Sequence, residues 1–510
     1  MFKSKRILIF ALVVVLVVGL FNIGLAEQKQ SIDVDEAKQG IATFLDTNAG
    51  DFTSTSDAIW SYAELGFQEF KSSEAIKNLL EKYGFDVELG VAGMPTAIVA
   101  SWGSGSPVVG FIGEYDALPG LSQKAVSHKE PVLEGAPGHG CGHNIYGATG
   151  AAGAIALKNA MEEYGLKGTV KFFGSPAEEA GSGKVYMVRE GLFDGVDAVL
   201  TSHPGSSFRT SYGVSGSALL GIIVTYHGKS VHAGSAPWEG ISALDAANIM
   251  GISMEFLREH LKWSYRMHYI IQEGGTWPNI VPDKAKVILY VRDNDERIMD
   301  TYKKFLRCVE AGAIATGCTY DLEFFEGTHQ KIPNEALAKL IFKNMKLVGL
   351  PEWTAEEQAY AKEVQKNAGI EEAGLPDTIS IRVAPDVCTG GGSSDEGDVS
   401  IAVPLAGLST PCKPKGVPGH SWGVVATGCT SIAHKGLIAG AKAIACTGLD
   451  ILTDPKVLKE IKDEFDEMHL KIPPYECLTP ELDPTLELAT AEMARWRSLM
   501  EPYYTEQVLK

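Results

Sequence analysis

Cysteine is scarce in this chain, eight in 510 residues and without framework spacing, so disulfides are not expected to hold the fold together. Cys308 with Cys318, and Cys388 with Cys412, are the pairings the sequence leaves open. Basic charge is in deficit: 45 Lys and Arg stand against 64 Asp and Glu, a formal net charge of -19. No basic cluster offsets it, which argues against nucleic acid or an anionic lipid surface as a partner. There is no low-complexity tract, no internal repeat and no G-x-x-x-x-G-K-[ST] phosphate loop. Beyond one apolar run near the N-terminus, no segment reads as a membrane span.

That run covers residues 7–20, follows Lys3, Lys5 and Arg6, and is succeeded by Gly24-Leu25-Ala26 and polar residues. A basic start, an apolar middle and small residues at the end predict a secretory signal peptide over residues 1–26, with an uncleaved anchor as the alternative. No cysteine follows the run, which argues against a lipoprotein anchor. The mature protein is therefore expected to be soluble and exported, periplasmic or extracellular, where disulfides are permitted.

The length predicts two or more domains. A helical entry over residues 33–63 and an amphipathic helix over 73–83 lead into apolar strands at 97–102 and 108–115. A small-residue helix at 146–164, a strand at 169–174, a helix at 184–190 and a strand at 198–202 follow. Strands interleaved with helices predict an α/β fold, a mixed central sheet flanked by helices. From residue 216 the rhythm changes to strand 218–228, helix 243–261, strands 269–273 and 286–292, helix 296–315 and strand 319–325. The order βαββαβ is that of a ferredoxin-like unit. The expected organisation is a discontinuous catalytic domain, residues 33–215 and 328–510, with an inserted domain over 216–327. Helix-rich sequence, a glycine-rich loop at 389–394, a helix at 434–452 and an acidic, Pro-bearing tail complete the chain.

Four segments carry metal-binding chemistry: G-H-G-C-G-H-N at 138–144, S-P-A-E-E at 175–179, S-H-P at 202–204 and G-H-S-W-G at 419–423. Thiolate, imidazole and carboxylate together suit a divalent transition metal. Glycines let the loop turn so that Cys141 and His143 converge on one ion. Of the pair Glu178-Glu179, one carboxylate can hold metal while its neighbour takes a proton from water. His139 reads as a hydrogen-bonding neighbour of the site. Each signal alone has an ordinary structural alternative: an acidic helix start, a loop histidine, a histidine packed on Trp422. The expected placement of Asp116, Glu178, Glu179 and His203 just beyond strand ends unites them, because open α/β sheets bind ligands there.

With G-E-Y-D-A-L-P-G at 113–120, H-G-K-S-V-H-A-G at 227–234 and N-I-V-P-D at 279–283, these motifs give a specific resemblance. The chain resembles the aminoacylase/carboxypeptidase family of metallopeptidases, in the amidohydrolase branch that includes indole-acetyl-amino-acid hydrolases. The likeness runs over residues 63–452. It implies two divalent ions per subunit, manganese or zinc, with cobalt or nickel as alternatives, bridged by a cysteine thiolate. Carried over, Cys141, His143, Glu179, His203 and His420 are metal ligands, Glu178 is the general base, and Asp116 orients a ligand. His232 and Asn279, in the inserted domain, match residues that reach a neighbouring active site across a homodimer and steady the substrate. Many relatives of this branch have Asp and His where this chain has Asn144 and Tyr146.

The function implied is hydrolysis of the amide bond of an N-acyl or N-aroyl amino acid, of the p-aminobenzoyl-glutamate kind, by metal-activated water and a Glu base. A cationic side chain should receive the substrate carboxylate, with Arg292 as the sequence's candidate. A second type of subunit is a further expected partner. The alternatives are a dipeptidase or carboxypeptidase with the same chemistry, a cysteine hydrolase built on Cys141, and an exported solute-binding protein without catalysis.

Overall fold

The computed structural model describes residues 32–385 and 392–510. The expected signal peptide and Cys388 lie outside these residues. Eight strands form one mixed sheet in the order β1-β2-β4-β3-β5-β12-β6-β11, comprising Asp86–Leu89, Ile98–Ser104, Gly168–Ser175, Val108–Glu114, Ala198–Gly205, Leu405–Pro411, Phe208–Tyr212 and Ile379–Val383. The centre is parallel: β4, β3, β5 and β12 run the same way, while β1, β2 and β6 oppose their inner neighbours. A parallel centre buries both faces, and β3 is buried from Val109 to Glu114.

Two small-residue helices, His143–Tyr164 and Ser431–Thr453, pack against each other and this sheet. Small side chains allow the close approach: a Cβ on Gly150 would come within 2.3 Å of the Ile112 carbonyl oxygen. Among the described residues Ser431–Thr453 is also long and apolar enough to cross a membrane, which corrects the expectation that no such segment exists. Some 83% of its apolar window is buried inside the fold, so it reads as a core helix.

Residues 218–328 build a second, antiparallel sheet in the order β10-β7-β9-β8, from Thr319–Thr328, Ala218–His227, Lys284–Asp293 and Arg266–Glu273. Helices Ala243–Arg258 and Ile298–Thr316 pack on it. Alternate residues of β9, among them Val287, Leu289 and Val291, point inward to Leu220, Ile222, Met250 and Phe305, an apolar cluster separate from that of the large sheet.

Two sequence expectations change, and the cysteine pairing left open between Cys308 and Cys318 does not form. The entry helix is two, Val34–Thr47 and Ala49–Tyr62, broken at Asn48, whose φ of -101° and ψ of 12° leave the helical region. Strand β5 runs on to Gly205, so His203 lies inside a strand and not beyond it. Cys308, Cys318 and Cys412 are free thiols.

Candidate metal centre

The loop carrying Cys141 turns at Gly142, the residue that caps helix His143–Tyr164 with φ of 88°. A Cβ there would meet Pro204 at 2.9 Å, so glycine is required both by the turn and by the strand beneath. The turn brings Cys141 and His143 to the ends of β3, β4 and β5. His143 donates from Nδ1 to Asp116 at 2.7 Å, and the Glu179 backbone N–H donates to the other Asp116 oxygen at 2.9 Å. His203 uses Nδ1 toward its neighbour's carbonyl, Pro204 O, at 2.9 Å. A carboxylate or carbonyl on Nδ1 places the ring proton there and leaves Nε2 with its lone pair. Both imidazoles thus present Nε2; that of His203 lies 3.3 Å from Cys141 Sγ.

Glu178 and Glu179 follow β4 in a loop held at both ends by buried carboxylates. Glu69 accepts from the Ala177 N–H at 2.9 Å, where φ is 55°, and Glu326 accepts from Gly181 N–H at 3.0 Å. Burial pushes both holders up to about 8, with the charge of Asp116 adding to the effect on Glu69. His420 has φ of 55°; its N–H donates to Gly140 O at 2.9 Å, and its Nε2 lies 3.3 Å from Glu179.

Ligand atoms within 4.8 Å of one another define three groups: Cys141, His143 and His203; Cys141, Glu179 and His420; and Glu114, His143 and Glu178. Cys141 belongs to the first two, so its thiolate would be available to both. The donor set of sulfur, imidazole and carboxylate fits a divalent transition metal. Glu179 Oε1 is buried without a hydrogen-bond partner, and His143 Nε2 and Glu114 Oε2 approach to 3.1 Å without forming an aligned hydrogen bond, a costly state that a cation relieves. Without a cation the electrostatics are unbalanced. Burial lifts the Cys141 thiol to about 12 and Glu179 to about 7. Burial, with Glu114 and Asp395, lifts Glu178 well above the carboxylate range. Burial works against charge on His143, but the Cys141, Glu114 and Asp116 charges outweigh it and raise its pKa.

Other expectations fall outside the groups. His139 is buried against Ile59 O at 3.0 Å. Asn144 donates to Gly428 O at 2.9 Å, and Tyr146 donates to Glu396. His232 and Asn279 lie in exposed loops of the second sheet's unit, joined by the Ala233 N–H to Asn279 O bond of 2.9 Å; no hydrogen bond or ion pair among the described residues links them to Cys141 or its neighbours. Arg292 donates to Ser393 at 2.6 Å.

Sequence reasoning missed the ionic support behind the site. The Lys184 ammonium, fully buried, pairs at 2.6 Å with both Glu114 and Asp395, and Lys331 pairs with Glu396. Glu114 Oε2 in turn lies 3.1 Å from His143 Nε2. These residues come from separate elements, and the motif position of Glu114 beside Asp116 was their one local signal.

Residues 110–378 match the peptidase family M20/M25/M40. The chain is 37% identical to one of the subunits of p-aminobenzoyl-glutamate hydrolase from Escherichia coli K12, over 84% of this chain and 95% of that one. It is 30% identical to the Xaa-Arg dipeptidase of Mus musculus over 85% and 93%. Among solved structures, a dinuclear metal binding M20 peptidase from Bacillus subtilis superposes with a TM-score of 0.51 at 18% identity, covering 81% of this chain and 99% of that one. The chain belongs to peptidase family M20/M25/M40, and is a metal-dependent hydrolase of amide bonds.

Proposed function

We propose that this enzyme hydrolyses the amide bond of N-acyl or N-aroyl amino acids, with p-aminobenzoyl-glutamate as the reference substrate, at a two-ion centre. The observation that carries the proposal is the membership of Cys141 in two ligand groups, with Glu178 in the adjoining group that shares His143. Cys141, His143, Glu179, His203 and His420 would hold the ions. Manganese and zinc suit these donors, as do cobalt and nickel. Bound divalent ions supply Lewis acidity, lowering the pKa of water and polarising the carbonyl.

The side chains then divide the work. Asp116 fixes the His143 ring and the Glu179 backbone together. Glu178 takes the proton from attacking water and returns it to the departing amine. Its raised pKa suits the return, and divalent ions bound beside it would favour the carboxylate needed for the first transfer. His232 accepts from the Gly234 N–H at Nδ1, 3.1 Å, which leaves its proton on Nε2 as a donor for the developing oxyanion. His232 and Asn279 share no hydrogen bond or ion pair with the cluster among the described residues, and would serve the active site of a second copy. A homodimer through residues 216–327, our inserted domain, is supported by the open edge of β8 and by exposed Ile252, Phe256, Trp263 and Ile270. The Escherichia coli relative is named as one of two subunit types, which makes a second, different subunit a further candidate partner. The N-terminal sequence supports export.

Dipeptide hydrolysis is the second reading, favoured by the Xaa-Arg dipeptidase likeness. Steady-state turnover of p-aminobenzoyl-glutamate, other N-acyl amino acids and dipeptides separates the two. Preference for acyl or aroyl amides supports the proposal; preference for free-amine dipeptides replaces it with the second reading.

A further inference from the structure

Strand β12 ends in parallel register with β5, Pro411 opposite Gly205. The N–H groups of Cys412 and Lys413 both point to Gly205 O, at 2.9 and 3.2 Å. Lys413 is thereby fixed alongside the end of the strand that carries His203, where Pro204 packs beneath Gly142 of the Cys141 loop. Its side chain is half-buried, yet its ammonium has no ion pair and no hydrogen bond among the described residues. The comparison with other sheltered lysines is direct: Lys184 has Glu114 and Asp395, Lys38 has Asp450, Lys331 has Glu396 and Lys435 has Glu357. The groups acting on the Lys413 charge are the thiols of Cys141 and Cys412, and its own charge acts on His203 and His420. A half-buried ammonium with no ion pair among the described residues is retained at a cost, and it lies close enough to Cys141, His203 and His420 for its charge to act on them. Arg292, by contrast, is engaged by Ser393, with Glu326 close enough to feel its charge.

We propose that Lys413 receives a carboxylate of the amino-acid half of the substrate and so selects anionic N-acyl amino acids over their neutral amides. This rests on the hydrolase reading of the same site. A lysine suits the role because a flexible point charge serves carboxylates of differing reach.

The test compares wild type, Lys413→Met, Lys413→Gln and Lys413→Arg on p-aminobenzoyl-glutamate, on its α-carboxamide and on p-aminobenzoyl-glutamine. kcat and KM are read for each, with metal content and calorimetric binding of the same three compounds to the metal-loaded and metal-stripped full chain. Losing one charged hydrogen bond predicts a kcat/KM fall of roughly 10- to 100-fold, mostly in KM, for Met and Gln on the dianionic substrate. Little change is expected on the analogue that lacks the received carboxylate, which identifies whether it is the α- or the side-chain group. Arginine should restore most of the loss, and metal content should not move. An equal loss on all three compounds, or none on any, overturns the proposal. If wild type turns over none of them, the p-aminobenzoyl-amino-acid reading of the substrate fails by itself. Binding then decides Lys413: a carboxylate-dependent affinity lost in both Met and Gln sustains the role, and unchanged affinity overturns it.

Discussion

His143 and Asp116 meet through Nδ1 and Oδ1 at 2.7 Å, and the second oxygen of the same carboxylate holds the Glu179 backbone at 2.9 Å. One buried side chain thus sets the direction of two expected ligands. Asp116→Asn keeps the shape but offers one acceptor oxygen in place of two. Metal affinity should fall about 10- to 100-fold, as for other residues that orient ligands, with the fold intact. Competition against a chromogenic chelator and far-ultraviolet circular dichroism check both halves.

Metal uptake should release protons. Burial holds the Cys141 thiol up at about 12, and neighbouring anions raise the His143 pKa against the pull of burial. Both groups must lose a proton to act as ligands. Affinity should therefore rise with pH across the neutral range. Calorimetric titration in buffers of different ionisation enthalpy counts the protons, and a pH-independent affinity with no release contradicts this arrangement.

How legible was this centre? The five expected ligands stand in short motifs that glycines and prolines isolate, and the structure groups the other four with Cys141. Strand β12 was illegible for the opposite reason: L-A-G-L-S-T-P has no alternating or branched apolar pattern, and Gly407 is fixed by a neighbour, its missing Cβ lying 2.0 Å from Thr201 Oγ1. Without β12, neither Lys413 nor its relation to His203 could be inferred. Glu69, Glu326, Lys184 and Asp395 were hidden likewise, since each is a single charged residue whose partner is distant in sequence. The placement of His203 beyond a strand failed because β-pairing with β12 extends β5 by three residues past Ser202, to Gly205.

A stability switch lies apart from the metal. Burial opposes charge on His329, but its bond to Asp295 at 3.0 Å and the charge of Asp398 raise its pKa from 6.5 to about 9. A raised folded-state value adds stability that is complete below about 6.5 and disappears as pH climbs through about 9. A shift of that size corresponds to about 3 kcal/mol. Denaturant unfolding at pH 6 and pH 9.5 should show that loss in wild type and a much flatter difference in His329→Gln. Equal pH dependence in both would contradict it.

Gly150→Ala sets helix propensity against packing. Alanine gains about 1 kcal/mol in a helix interior. Its methyl, however, would sit 2.3 Å from the backbone oxygen of Ile112, which cannot rotate away as a side chain could. Overpacking of about 1 to 3 kcal/mol should win, giving net destabilisation by chemical denaturation. A stabilised variant would mean that the helix and β3 are less tightly fitted than their contact implies.

The most direct test of the central claim is p-aminobenzoyl-glutamate hydrolysis by the full chain before chelation, after chelation and after return of one metal at a time, with Glu178→Ala measured in parallel. The account predicts activity lost with the metal and restored by a divalent ion. It also predicts that the Glu178→Ala variant binds metal normally but is slower by at least about 100-fold. Turnover unaffected by complete metal removal, or retained in that variant, would contradict it.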